Sequence, residues 1–108
     1  MTKTVVIGGK KVRMRVTARI PYEYMELFGE DLMKAQQNAD IKFHSRLAWL
    51  FARAGGENVY EDLPADEAVT KWLDKFDDMF AIYTIIPELT ILWLEANKTL
   101  STPKKKRG

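Results

Sequence analysis

Apolar positions along this chain repeat with two different periods, and the change of period marks its elements. Near the N-terminus Val5, Val6 and Ile7 lead into Gly8-Gly9, and from Lys10 to Ala18 the apolar Val12, Met14 and Val16 alternate with Lys11, Arg13, Arg15 and Thr17. A period of two belongs to a half-buried strand, and two glycines between β-rich runs supply the positive φ angles of a two-residue turn. The pattern predicts a hairpin over residues 4–18 in which Val5 faces Val12 and Ile7 faces Lys10. That register gathers Val5, Val12, Met14 and Val16 on one apolar face and leaves a basic ridge of Lys11, Arg13 and Arg15 on the other. A lone hairpin is barely stable in water, so its apolar face is expected to lie on helices.

Beyond Ala18 the period becomes helical. Pro21, Met25, Phe28, Leu32, Ala35 and Ala39 form one stripe, which predicts a helix over 21–39. Gly29 in mid-helix costs about 1 kcal/mol relative to alanine, so a bend or a close backbone neighbour is expected there. Asp40 is placed to cap a second helix, 41–54, with Phe43, Leu47, Leu50, Phe51 and Ala54 inward and Gly55-Gly56 at its end. After a polar loop, Pro64, Asp66 and Glu67 open a third helix, 65–86, whose stripe comprises Val69, Trp72, Phe76, Met79 or Phe80, Tyr83 and Ile86. Proline lacks an N–H and crowds the preceding turn, so this helix is expected to end or kink at Ile86 and a fourth to run over 87–98. Leu89, Ile91, Leu92, Trp93, Leu94 and Ala96 cover most of its circumference, which makes it the expected core helix. The expected fold class is α+β, mainly α: an N-terminal β-hairpin packed on about four helices, with Phe28, Leu47, Trp72, Phe76 and Trp93 in the core.

A chain of 108 residues suits one domain, here expected over 1–100, with a basic tail from 101 to 108 too polar and charged to pack. With no cysteine, neither a disulfide nor a thiolate metal site contributes. The longest apolar stretch, 79–94, has 16 residues with Pro87 and Glu88 inside it, short of the roughly 20 a membrane span needs, so no membrane partner is expected. The net charge of +2 is unevenly placed: residues 1–20 carry six basic groups and no acid, and residues 103–108 carry four basic groups and no acid. Between them seven basic groups stand against fifteen acids, a net of −8. Such blocks indicate a charged binding surface or tail.

Catalytic chemistry is hard to assemble from these residues. His44 is the only histidine, and no cysteine or serine-and-acid constellation gives it a nucleophile to activate. Asp74, Asp77 and Asp78 read as a solvated acidic helix face, since no loop glycine supplies the turn of a calcium site. Gly8-Gly9 lacks the helix and Lys-Ser/Thr of a phosphate loop. No catalytic residue, cofactor or metal is therefore expected, and any aromatic found exposed would mark a protein-binding surface.

The order Thr17-Ala18-Arg19-Ile20-Pro21-x-x-Tyr24-x-x-x-Phe28-Gly29-x-Asp31-Leu32, then Leu47-Ala48-Trp49-x-x-Ala52, then Trp72-Leu73-Asp74-x-Phe76-Asp77, then Ile86-Pro87-Glu88 and Leu92-Trp93-x-x-Asn97, resembles the tail assembly chaperones of long-tailed phages and prophages of Gram-positive bacteria. The resemblance spans about residues 15–97 and leaves out Gly8-Gly9 and the first strand. It implies a non-catalytic protein of the host cytoplasm, absent from the mature virion, that coats the tape-measure protein while tail-tube subunits are recruited. It also implies a longer frameshifted product that contacts the major tail protein, and three lysines, Lys104 to Lys106, are what an adenine-rich slip site would encode. The shared Pro21, Tyr24, Phe28, Gly29, Leu32, Leu47, Trp49, Trp72, Leu73, Phe76, Pro87 and Trp93 have the character of core and capping positions. The competing reading is a small nucleic-acid-binding protein using Lys11, Arg13, Arg15, Lys104, Lys105, Lys106 and Arg107. The acidic middle of the chain argues against it, because it would repel a phosphate backbone.

Overall fold

The computed structural model describes residues 1–101, with side chains as far as Ala96. The basic tail with Lys104, Lys105, Lys106 and Arg107 lies outside the described residues. The architecture is α+β and mainly α: strands β1 (Thr2–Ile7) and β2 (Lys10–Arg15), then helices α1 (Arg19–Phe28), α2 (Leu32–Gln36), α3 (Ile41–Ala54), α4 (Ala65–Leu73) and α5 (Ala81–Ser101). The strands pair antiparallel with Val5 opposite Val12 and Ile7 opposite Lys10, the register that the alternation dictates. Gly8 and Gly9 turn at φ 53° and 83°, a conformation that only glycine adopts without strain. Val5, Ile7, Val12, Met14 and Val16 are buried beneath the hairpin, while Lys11, Arg13 and Arg15 stand on its solvent face.

The centre of the fold is α3. Asp40 caps it by accepting from the Phe43 N–H at 2.8 Å, and every residue from Ser45 to Ala52 is buried. The hairpin, α1, α4 and α5 all pack on it. This corrects the expectation that 87–98 is the core helix: Ile91 and Leu94 are 46% and 59% exposed, so that segment buries only one side.

Two helix boundaries also differ from the sequence pattern. The single helix expected over 21–39 is broken after Phe28, where Gly29 adopts φ 71° and its N–H closes on the Met25 carbonyl at 2.9 Å. Asp31 then starts α2 by accepting from the Lys34 N–H. Gly29 is thus a helix stop, a full break where a bend or a close neighbour was expected: nothing lies within 4 Å of where its Cβ would be, so no close neighbour explains it. The buried row is Ile20, Tyr24 and Leu32, whereas Pro21, Met25 and Ala39 of the expected stripe are exposed.

The second difference concerns Pro87, which lies inside α5 and not at its start. An interior proline removes one helix bond and costs about 3 kcal/mol, but burying an aliphatic side chain recovers about 1.5–3 kcal/mol each. Ile82, Ile85, Leu89 and Leu92 are buried on both sides of it, so continuing the helix wins. Pro87 itself is exposed, where water can reach the carbonyl it leaves unbonded. The break comes earlier, at 74–80, where the Asp78 side chain accepts from the Phe80 N–H at 2.9 Å and its carbonyl takes the Ala81 N–H. Short acidic side chains that bond the nearby backbone compete with helix in this way. The break drops Phe76 into the core and resets the phase, so Met79, Phe80 and Tyr83 point outward despite fitting the stripe of α4.

Where α3 ends, Gly55 serves a purpose beyond closure. Its φ is an ordinary −78°, but a Cβ there would overlap the Arg13 carbonyl oxygen and stand 2.7 Å from the Arg13 carbonyl carbon. The strand can therefore lie directly on the end of α3. Gly55→Ala is expected to lose about 1–3 kcal/mol of unfolding free energy in urea titration by forcing β2 off α3. A loss no larger than that of an exposed glycine-to-alanine change would show that β2 does not sit there.

Candidate protein-binding surface

Because α5 buries a single stripe, Ala81, Ile82, Ile85, Leu89, Leu92 and Ala96, its other side faces solvent among the described residues. That side is apolar. Phe80, whose carbonyl accepts from the Thr84 N–H just ahead of α5, and Tyr83, Pro87, Ile91 and Leu94 within it follow one another at steps of three and four, which aligns them along one helical face. The four large side chains are 46–59% exposed, and the Phe80 and Tyr83 rings sit 6.2 Å apart. Thr84 and Thr90 on the same side donate their hydroxyls to the Ala81 and Ile86 carbonyls at 2.9 Å, which satisfies them within the helix. Isolated exposed apolar residues are ordinary, but an aligned row is the mark of an interface.

A groove of about 230 Å³ runs beside this row between α2, α3 and α5, lined by Leu32, Ala39, Phe43, Leu47, Leu89 and Trp93 among others. Trp93, expected in the core, is half-buried at its rim. His44 borders the groove with Nδ1 2.9 Å from the Asp40 carbonyl and its ring edge-on to Phe43. That ring belongs to the first turn of α3, and among the described residues no cluster of histidine, aspartate and glutamate is placed to hold a metal. Asp74, Asp77 and Asp78 are exposed in the connection from α4 to α5, not on a helix face as their spacing suggested.

The motif residues divide by position. Tyr24, Leu32, Leu47, Trp49, Trp72 and Phe76 are buried; Phe28, Leu73 and Trp93 are half-buried; Pro21, Gly29 and Pro87 are exposed. Trp49 also donates Nε1–H to the Val59 carbonyl at 2.9 Å, which holds the loop before α4. Lys11, Arg13 and Arg15 form no ion pair among the described residues, whereas Lys3 and Arg19 meet Glu88 and Glu23 at 4.0 and 3.4 Å.

Sequence reasoning passed over Arg46, the one buried cation among the described residues. Its guanidinium holds both oxygens of Asp66 at 3.1–3.2 Å and Glu30 Oε1 at 3.1 Å, and lies 4.6 Å above the Phe28 ring. Tyr24 donates its hydroxyl to the same Glu30 oxygen at 3.2 Å. The cluster ties the connection between α1 and α2 to α3 and α4. The signal for it was a basic residue three positions after Phe43 and four before Leu50, on the apolar side of a helix. Burial opposes the charge on Arg46, but the Tyr24 hydroxyl and Asp66 outweigh that and raise its pKa. Burial also pushes the Tyr24 phenol up, with Arg46 partly offsetting it.

Arg46→Ala is expected to cost about 2–3 kcal/mol in urea unfolding, the lower end for a broken buried pair, because Glu30 and Asp66 are half-exposed and can rehydrate. Arg46→Lys should recover less than half of that, since lysine cannot make the two-pronged contact. For Tyr24 the folded state holds the phenolic proton more tightly than the unfolded chain, whose value is 10.0. Its contribution is therefore complete below pH 10 and is lost as pH rises through the folded pKa, an alkaline loss that Tyr24→Phe should abolish.

No helix among the described residues is long and apolar enough to cross a membrane. Comparison with protein-family models, with curated proteins and with solved structures finds no match for this chain.

Proposed function

We propose that this protein is a tail assembly chaperone that binds the tape-measure protein of a long-tailed phage and performs no catalysis. The observation that carries the reading is the exposed apolar row of α5, Phe80, Tyr83, Pro87, Ile91 and Leu94. A helical client of low solubility needs an apolar helical track to lie on, with polar groups at its borders to set orientation. The row is 15 residues long from first to last, about 21 Å at the rise of an α-helix, and can hold about two heptads of such a client. The groove at Trp93 beside it offers a place for one larger anchor side chain. The motif resemblance supplies the client's identity, and tail-tube subunits would be recruited through a longer form of the chain. The basic ridge of Lys11, Arg13 and Arg15 keeps nucleic-acid binding as the second reading, because those side chains face solvent.

Co-expression with the tape-measure protein encoded beside it should keep that protein soluble. Tyr83→Glu with Leu94→Glu should abolish the effect while leaving the melting temperature nearly unchanged, since both side chains are more than half exposed. Equal insolubility with and without the wild-type chain would refute the reading. Tight, salt-dependent binding of duplex DNA would put the nucleic-acid alternative in its place.

A further inference from the structure

Strand β1 has one edge paired and the other open. The ladder is continued by the Val16 N–H, which donates to the Met1 carbonyl at 2.9 Å, so bonds are exchanged at Met1, Lys3, Val5 and Ile7. The backbone groups of Thr2, Thr4 and Val6 consequently point away from β2. By the same parity the backbone of Arg13 points out of the far edge of the hairpin, and there the edge is closed. The Arg13 N–H donates to Glu57 Oε2 at 2.8 Å, and the Arg13 carbonyl abuts Gly55. On the β1 side α5 packs against the strand, but among the described residues the amides of Thr2, Thr4 and Val6 reach no protein acceptor, and all three residues are exposed. The usual protections of a free edge are also missing, for β1 contains no proline and no bulge, and its one charge, Lys3, is turned toward Glu88.

The solvent face of the hairpin specifies what could pair there. Thr2, Thr4 and Val6 stand opposite Arg15, Arg13 and Lys11, three basic side chains without an ion pair among the described residues. A strand added to β1 would lie about 4.8 Å from it and about 9.6 Å from β2, a gap that the long Lys11, Arg13 and Arg15 side chains can span across Thr2, Thr4 and Val6 to meet glutamates on its solvent face. We infer that the open edge of β1 is a docking strand for an acidic, extended segment of a partner protein, held by backbone bonds to Thr2, Thr4 and Val6 and by ion pairs to Lys11, Arg13 and Arg15. A second copy of this chain pairing there would bring two basic ridges side by side. A nucleic acid would leave the three amides unused and would meet the acidic remainder of the chain. This edge differs from the α5 row in chemistry but adjoins it, since α5 packs on β1 and Lys3 meets Glu88, so separate substitutions on the hairpin and on α5 distinguish the two sites.

The test uses a short capped peptide alternating glutamate with valine, the same peptide with lysine for glutamate, and a short DNA duplex, each titrated into the full chain. The glutamate peptide should bind and slow amide hydrogen exchange at Thr4 and Val6. Lysine for glutamate, or Arg13→Glu in the protein, should weaken binding by about tenfold or more, as loss of a close ion-pair set does. Thr4→Pro removes an outward N–H without touching a ladder bond and should abolish peptide binding. If that variant does not fold, the wild-type exchange at Thr4 and Val6 decides alone. Peptide binding without protection of those amides, or a DNA duplex bound more tightly than the peptide, would overturn the proposal.

Discussion

The burial of α3 is the constraint on which the rest of the structure depends. A helix with Ser45 to Ala52 out of solvent on every side has no free face, so the remaining elements must surround it. The hairpin comes down on its C-terminal end through the Gly55 contact, and α1, α4 and α5 take the other sides. Even its one buried charge, Arg46, is accommodated by drawing Glu30 and Asp66 in from neighbouring elements. Once α3 is enclosed, α5 has apolar residues left over: one stripe seals the core, and the row from Phe80 to Leu94 faces water. The candidate interface is thus a consequence of an apolar last helix placed outside an already enclosed one.

What could be read from the sequence was whatever is encoded locally. The Gly8-Gly9 turn and the alternation after it fix the hairpin register within a few residues of chain, and Asp40 with Gly55 bounds α3 for the same reason. The errors arise where two local signals compete or where distant residues decide. Gly29 followed by Asp31 is a stop and a start, but the apolar stripe running through both hid it. Pro87 is a strong breaker that lost to the burial of Ile82, Ile85, Leu89 and Leu92, whereas the weaker Asp78 signal prevailed because it let Phe76 turn into the core. Arg46 could not be placed from sequence, since its partners lie 16 and 20 residues away. Trp93 sits at the rim and not in the core for a related reason: a helix apolar around most of its circumference gives little indication of which side is outermost.

The molecule therefore presents two surfaces of opposite character. Among the described side chains of α5 the charged ones are Glu88 and Glu95, and the interaction on offer is apolar contact along a helix. On the hairpin the exposed groups are Lys11, Arg13 and Arg15 beside unpaired backbone, which favours directional, charge-assisted binding. A protein that holds a helical client while recruiting something else needs two such surfaces, since a single sticky face could not distinguish the two partners. The basic surface follows from the block of six basic groups and no acid in residues 1–20, and the apolar one from the surplus apolar residues of α5.

The central claim, that the outer row of α5 receives the client, is tested most directly by side-chain oxidation footprinting of the chain alone and in complex with the tape-measure protein. The account predicts that modification of Phe80, Tyr83 and Leu94 falls strongly in the complex, while Tyr22 on α1, 68% exposed, reacts as before. Protection of Tyr22 with Phe80, Tyr83 and Leu94 unchanged would contradict it.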